Sequence, residues 1–147
     1  MTTLHIPRLI YNALRAHGEE AYPRECCGAL LGRAMPDGWE VVAAIRAENA
    51  SAASTRTHYE ITPAELVRIA RGARQHGLEI AGFYHSHPDH PAQWSPTDLN
   101  EAHWFGSSYV ITGVAHGKAA QTRSFRLAGT SEEDKRFEEE EIAIRNS

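Results

Sequence analysis

The chain has 147 residues, 41% hydrophobic and 23% charged, a composition that supports a folded domain with its own core and excludes a disordered one. Its formal charge of −4, from 15 Lys and Arg against 19 Asp and Glu, weighs against nucleic acid as a partner, because such proteins carry a basic face to neutralise phosphates. No apolar run approaches the roughly 20 residues that cross a bilayer, and residues 1–7 lack the basic start and apolar core of a signal peptide. No membrane contact and a cytoplasmic location are expected.

The first helix is expected to begin at Pro7, a favoured first helical position, with Ile6, Ile10, Ala13, Leu14 and His17 on one stripe and Gly18 as its stop. Residues 26–33 and 39–45 read as strands of a hairpin around Met35-Pro36-Asp37-Gly38. Residues 46–57 are small and polar, the composition of an exposed, mobile loop. Thr62-Pro63-Ala64-Glu65 has the form of a capping box, and Leu66, Ile69, Ala70 and Ala73 make the buried stripe of a second helix that Gly77 ends. Residues 78–85 form a β-run that turns polar at its end, and Ser95-Pro96-Thr97-Asp98 opens another helix. A second hairpin, 108–115 and 119–127, turns at His116-Gly117. A last helix is expected from about Ser131, its early acids suiting the helix dipole, with the run 138–141 as a solvated face. This order implies an α/β or α+β fold, a mixed β-sheet flanked by helices, in a single domain over residues 1–147.

Chemistry concentrates in Gly82-Phe83-Tyr84-His85-Ser86-His87-Pro88 and in Trp94-Ser95-Pro96-Thr97-Asp98. His85 and His87 are two apart at a strand end, so both imidazoles point to the same side and can approach one ion. Asp98 lies in the first turn of the next helix, from which its carboxylate can return over the strand end. Two imidazoles and a carboxylate make a zinc site of the open type, whereas closed structural sites take four protein ligands, often thiolates. Glu25 stands at the mouth of an apolar strand, where a charge is costly without a task or a partner, and is the candidate base. The adjacent Cys26 and Cys27 read as reduced packing residues, without zinc-finger spacing.

Blander explanations exist for parts of this pattern. Ser95-Pro96-Thr97-Asp98 alone is explained by helix capping, and an isolated pair among nine histidines is weak. His90 is ambiguous, in the loop between the candidate ligands. Trp94 and Trp104 are expected to pack in the core.

Glu25 followed by His85-x-His87-Pro88 and Ser95-x-x-Asp98 resembles the JAMM (MPN+, or JAB1/MPN/Mov34) family of zinc metallopeptidases. The tract Pro23-x-Glu25-Cys26-Cys27-Gly28-x-Leu30-Leu31-Gly32 is similar to its short bacterial branch, associated with ubiquitin-like sulfur-carrier proteins. The resemblance covers about residues 4 to 128, with every motif position filled. It implies an MPN, cytidine-deaminase-like fold and one zinc held by His85, His87 and Asp98. It also implies Glu25 as the base that activates water and protonates the leaving group, and Ser95 as a hydroxyl for the developing oxyanion. The implied activity is a peptidase or isopeptidase acting on the Gly-Gly tail of a small ubiquitin-like protein. The loop 46–57 is expected to close over that tail, with Asn49 as a polar substrate contact. The alternatives are a non-catalytic scaffold of the same fold and a zinc nucleobase deaminase. The latter calls for H-x-E and P-C-x-x-C, neither of which occurs.

Overall fold

Leu4 and Ile6 alternate with Thr3 and His5. The computed structural model, which describes residues 1–51 and 58–146, turns that short period-two pattern into a first strand, β1 (Thr3–Pro7). The helix expected from Pro7 follows it as α1 (Arg8–Ala21). Gly18 does not stop it. A Cβ there would lie 3.1 Å from Val114 and 3.3 Å from Ser86, so this glycine serves close packing of the helix on the sheet. The expected hairpin is β2 (Cys27–Met35) and β3 (Gly38–Ala47). Gly38 has φ +149° and lies against the backbone of Thr3, a place without room for a side chain.

Arg46 and Ala47, expected in the loop, complete β3, and residues 52–57 of that loop lie outside the described residues. The helix α2 (Pro63–Gln75) starts where the Thr62 hydroxyl accepts the Glu65 N–H. Then come β4 (Glu79–Pro88), α3 (Pro96–Glu101), β5 (Ser108–Ala115) and β6 (Lys118–Ala128). The final helix expected from Ser131 is absent among the described residues. A strand, β7 (Arg136–Arg145), takes its place, antiparallel to β6 and parallel to β1. High glutamate content favours a helix in isolation, but both neighbouring strands offer β7 an unpaired edge, and pairing with them wins.

The seven strands close in the order β1-β3-β2-β4-β5-β6-β7, with helices packed against the sheet, so the mixed α+β class holds. On one face, Ala29, Leu31, Phe83 and Tyr109 pack with Ile69 and Ala73 of α2. On the other, Leu4, Leu30, Tyr84 and Val110 pack with Leu14 of α1. At roughly 25 cal/mol per Å² of apolar surface removed from water, these two layers are what hold the strands in register. β4 runs between β2 and β5 and is buried from Ile80 to Pro88, so its polar C-terminal half enters the interior by virtue of the strand's central place. No helix among the described residues is long and apolar enough to cross a membrane.

Candidate metal centre and active site

His85 and His87 follow Phe83 on one face of β4, and the intervening Ser86 points the other way, beneath α1. Ser86 ties the site together from behind. Its Oγ accepts the Cys26 N–H at 2.9 Å, and its own N–H reaches the Cys26 carbonyl at 3.3 Å. The residue between the two histidines therefore fixes the backbone next to Glu25.

Ser95 caps α3. Its Oγ accepts the Asp98 N–H at 3.1 Å, and its N–H donates to Asp98 Oδ2 at 2.8 Å, a reciprocal capping box. That bond also orients the Asp98 carboxylate. Asp98 Oδ1 is 3.2 Å from His85 Nε2 and Oδ2 is 3.1 Å from His87 Nε2, while the two Nε2 atoms are 3.2 Å apart. His85 and His87 are 2% and 8% exposed.

The donor set fits a divalent ion. Ligands at roughly 2.0–2.1 Å from a tetrahedral centre sit about 3.3 Å from one another, and the three separations here fall just inside that spacing. His87 Nδ1–H donates to the Pro91 carbonyl at 3.0 Å, which leaves the Nε2 lone pair for the cluster. Burial lowers the pKa of His85 and favours its neutral, ligating form. For His87 burial acts in the same direction, but the Asp98 carboxylate and the Pro91 carbonyl outweigh it and raise the pKa. Burial alone would raise Asp98, yet hydrogen bonds from His85 and His87 hold it well below the usual carboxylate range. A metal ion would take the place of the protons now shared in this cluster.

Glu25 precedes β2 in a position where Cys27 pairs with His85, which brings it beside the cluster. It is 5% exposed, and its Oε1 is buried without a hydrogen-bond partner among the described residues. Burial pushes its pKa up to about 8, against the opposing pull of His87 and with help from the Asp98 charge. A cleft lined by Glu25, His87, His90, Trp94, Ser95 and Thr97 puts the candidate base and the candidate oxyanion donor on one surface. Trp94 both lines this cleft and packs on Phe137, whereas Trp104 meets Phe83 edge-on and stays 38% exposed.

Asn49, expected as a substrate contact, is engaged otherwise. Its Nδ2 donates to the carbonyls of Glu25 and His58, and its Oδ1 accepts from the Ser51 and Glu60 amides. The whole amide is spent on bracing the chain beside Glu25. Tyr59 escaped the sequence analysis; its ring stacks on His85 at 4.4 Å and 24°. No local pattern marks it, because the stacking joins residues from separate elements. Cys26 and Cys27 are free, buried thiols, as expected, and burial pushes their pKa values up to about 11 and about 12.

Residues 7–128 match the family described as prokaryotic homologs of the JAB domain. The chain belongs to this family. Among prokaryotic JAB relatives, it is 40% identical over 89 residues to a desampylase of Haloferax volcanii, a match covering 60% of this chain and 62% of that protein. It is 36% identical over 111 residues to a probable TtuB-protein conjugate cleaving protease of Thermus thermophilus, covering 76% and 70% of the two chains. A CysO-cysteine peptidase of Mycobacterium tuberculosis is 27% identical over 122 residues, covering 80% and 78%. The JAB chain also superposes on the solution structure of a Desulfitobacterium hafniense protein with a TM-score of 0.83 at 27% identity, over 98% of this chain and 94% of the other. A solution structure from Salinibacter ruber gives a TM-score of 0.71 at 36% identity, over 99% and 92%.

Proposed function

We propose that this JAB protein is a cytoplasmic zinc peptidase or isopeptidase, working as one MPN-type domain over residues 1–147. Its substrate is an amide bond at the Gly-Gly tail of a small ubiquitin-like sulfur-carrier protein. The observation that carries the proposal is Glu25, a buried carboxylate with an oxygen that has no partner among the described residues, in the same cleft as His87 and Ser95. The names of the relatives, a desampylase, a conjugate-cleaving protease and a cysteine peptidase, support a hydrolase with this class of substrate.

His85, His87 and Asp98 would hold one zinc. Bound there, it supplies Lewis acidity, polarising the scissile carbonyl and making water nucleophilic near neutral pH. The residues do the rest. Glu25, its pKa raised to about 8 by burial and lowered again by a positive charge alongside that favours the carboxylate, takes a proton from the attacking water and returns it to the leaving amine. Ser95 Oγ accepts the Asp98 N–H, so its own proton is available to donate to the developing oxyanion. Tyr59, stacked on His85, excludes water from one side of the imidazole and holds its plane.

The test is to weigh, by mass spectrometry, the products of purified protein incubated with conjugates of each Gly-Gly carrier from the same genome, with and without chelator. The expected result is about one zinc per chain and chelator-sensitive cleavage after Gly-Gly. Glu25→Gln should keep the zinc and lose roughly 10²–10⁴-fold in turnover. Zinc without cleavage of any conjugate would overturn the hydrolase and favour the scaffold.

A further inference from the structure

We propose that a second pocket, behind Tyr59, is a subsite for a lysine or arginine side chain on the amine side of the cleaved bond. The proposal rests on the carrier-tail activity above and extends it to the protein from which the carrier is released. Tyr59 is the hinge of the geometry. Its ring stacks on His85, and it also lines a pocket with Phe83, Trp104, Tyr109, Glu60 and Glu101. The Phe83 ring lies 5.3 Å from Trp104 at 76° and 5.7 Å from Tyr109. Trp104, 38% exposed, leaves a large aromatic surface open to solvent beside the site. Glu101 is three residues past Asp98 on α3, one step along the same helix face and roughly 4.5 Å further along its axis.

The charge of this pocket selects its occupant. Both Glu101 oxygens lie 2.7–2.8 Å from His58 Nε2, and His58 Nδ1 faces the Ser51 hydroxyl at 2.5 Å. One imidazole nitrogen serves both oxygens of Glu101, so that carboxylate has lone pairs to spare. Glu60 adds a second carboxylate. Lys135 is committed to Glu132 and to the carbonyls of Asn100 and Ala102, and His103 also turns to Glu132. An apolar side chain would desolvate two carboxylates without compensation, and an anion would be repelled. An ammonium or guanidinium on an aliphatic stem satisfies both parts, with ring faces along the stem and carboxylates at the head.

Gly-Gly offers no side chain at the two acyl-side positions next to the bond, and the pocket shares Tyr59 with the metal cluster, so we assign it to positions just beyond the bond on the amine side. A lysine that is itself the point of attachment is an uncharged amide. The occupant is therefore a separate basic residue within a few positions of the leaving amine.

Two linear substrates ending Gly-Gly-Lys-Ala and Gly-Gly-Ala-Lys, each paired with its norleucine counterpart, test this with the zinc-loaded protein. The expected result is a kcat/KM about tenfold higher for lysine than for norleucine in at least one pair. That ratio should fall below about threefold in Glu60→Gln/Glu101→Gln and in Glu60→Gln alone, which leaves the His58–Glu101 pair intact. Ratios near one in the wild type, or a preference that survives both variants, would overturn the subsite. Should neither linear substrate be cut, the subsite is judged independently of turnover by titrating N-acetyl-lysine methylamide against the Trp104 indole N–H in NMR spectra. A shift absent with the norleucine analogue and lost in the double variant supports it; equal shifts, or none, refute it.

Discussion

Glu25 and Glu140 are both 5% exposed, and the chain treats them in opposite ways. Glu140, on the strand that closes the barrel, is surrounded by donors: Ser108 Oγ at 2.5 Å, Ser124 Oγ at 2.6 Å and Thr2 Oγ1 at 2.6 Å. Glu25 has an oxygen with no partner among the described residues, and its surroundings are held through the backbone instead, by Asn49 at its carbonyl and Ser86 at the next amide. A buried carboxylate supplied with hydroxyls is part of the framework. One left short of donors beside two imidazoles and another carboxylate is held ready for protons.

The largest effect expected from breaking this contrast is on Glu140. Glu140→Ala strands three hydroxyls and should cost about 3 kcal/mol, lowering Tm by roughly 10 °C in thermal melts while leaving zinc content per folded chain intact. The framework assignment fails if Tm moves by less than about 2 °C.

Glu25→Gln should act in the other direction, by up to about 3 kcal/mol in the chelator-treated protein at pH 7. Because the folded pKa, about 8, lies above the unfolded value of 4.5, the folded state holds the proton more tightly. This contribution to stability is complete below pH 4.5 and is lost as pH rises toward 8. Asp98 is displaced downward, so its contribution is present above the unfolded value and disappears only in acid, outside this window. Urea melts across the window should give a wild-type-minus-variant difference that grows more negative with pH; a constant difference would refute the assignment. Ser95→Ala is the smallest, about 1 kcal/mol of stability from the lost cap. It should also lower turnover by roughly 10²-fold if the hydroxyl serves the oxyanion, whereas a purely structural cap would leave turnover per folded, zinc-loaded molecule unchanged.

The centre was legible because strand alternation and helix capping are local rules. Spacing of two on β4 sufficed to put His85 and His87 on one side, and the Ser95–Asp98 box needed only its own four residues. Distant pairings were not legible. β1 is five residues long, too short for its Leu4/Ile6 alternation to stand out beside Pro7, and it exists because β3 and β7 flank it. The glutamates of β7 gave a helical signal that three hydroxyls from Thr2, Ser108 and Ser124 override at Glu140. Asn49 looked like a free polar group in a loop, and only the folded chain reveals the carbonyls and amides that saturate it.

Cys27 sits in register with His85 on one side and Ala47 on the other, fully enclosed between β3 and β4. Its thiol is protonated at neutral pH and inaccessible, so it cannot compete with water for an acyl group. The same confinement makes the cysteine pair a clock for conformational opening. An alkylating reagent reaches Cys27 only when β2 leaves its neighbours, a motion that separates Glu25 from the histidines at the same moment.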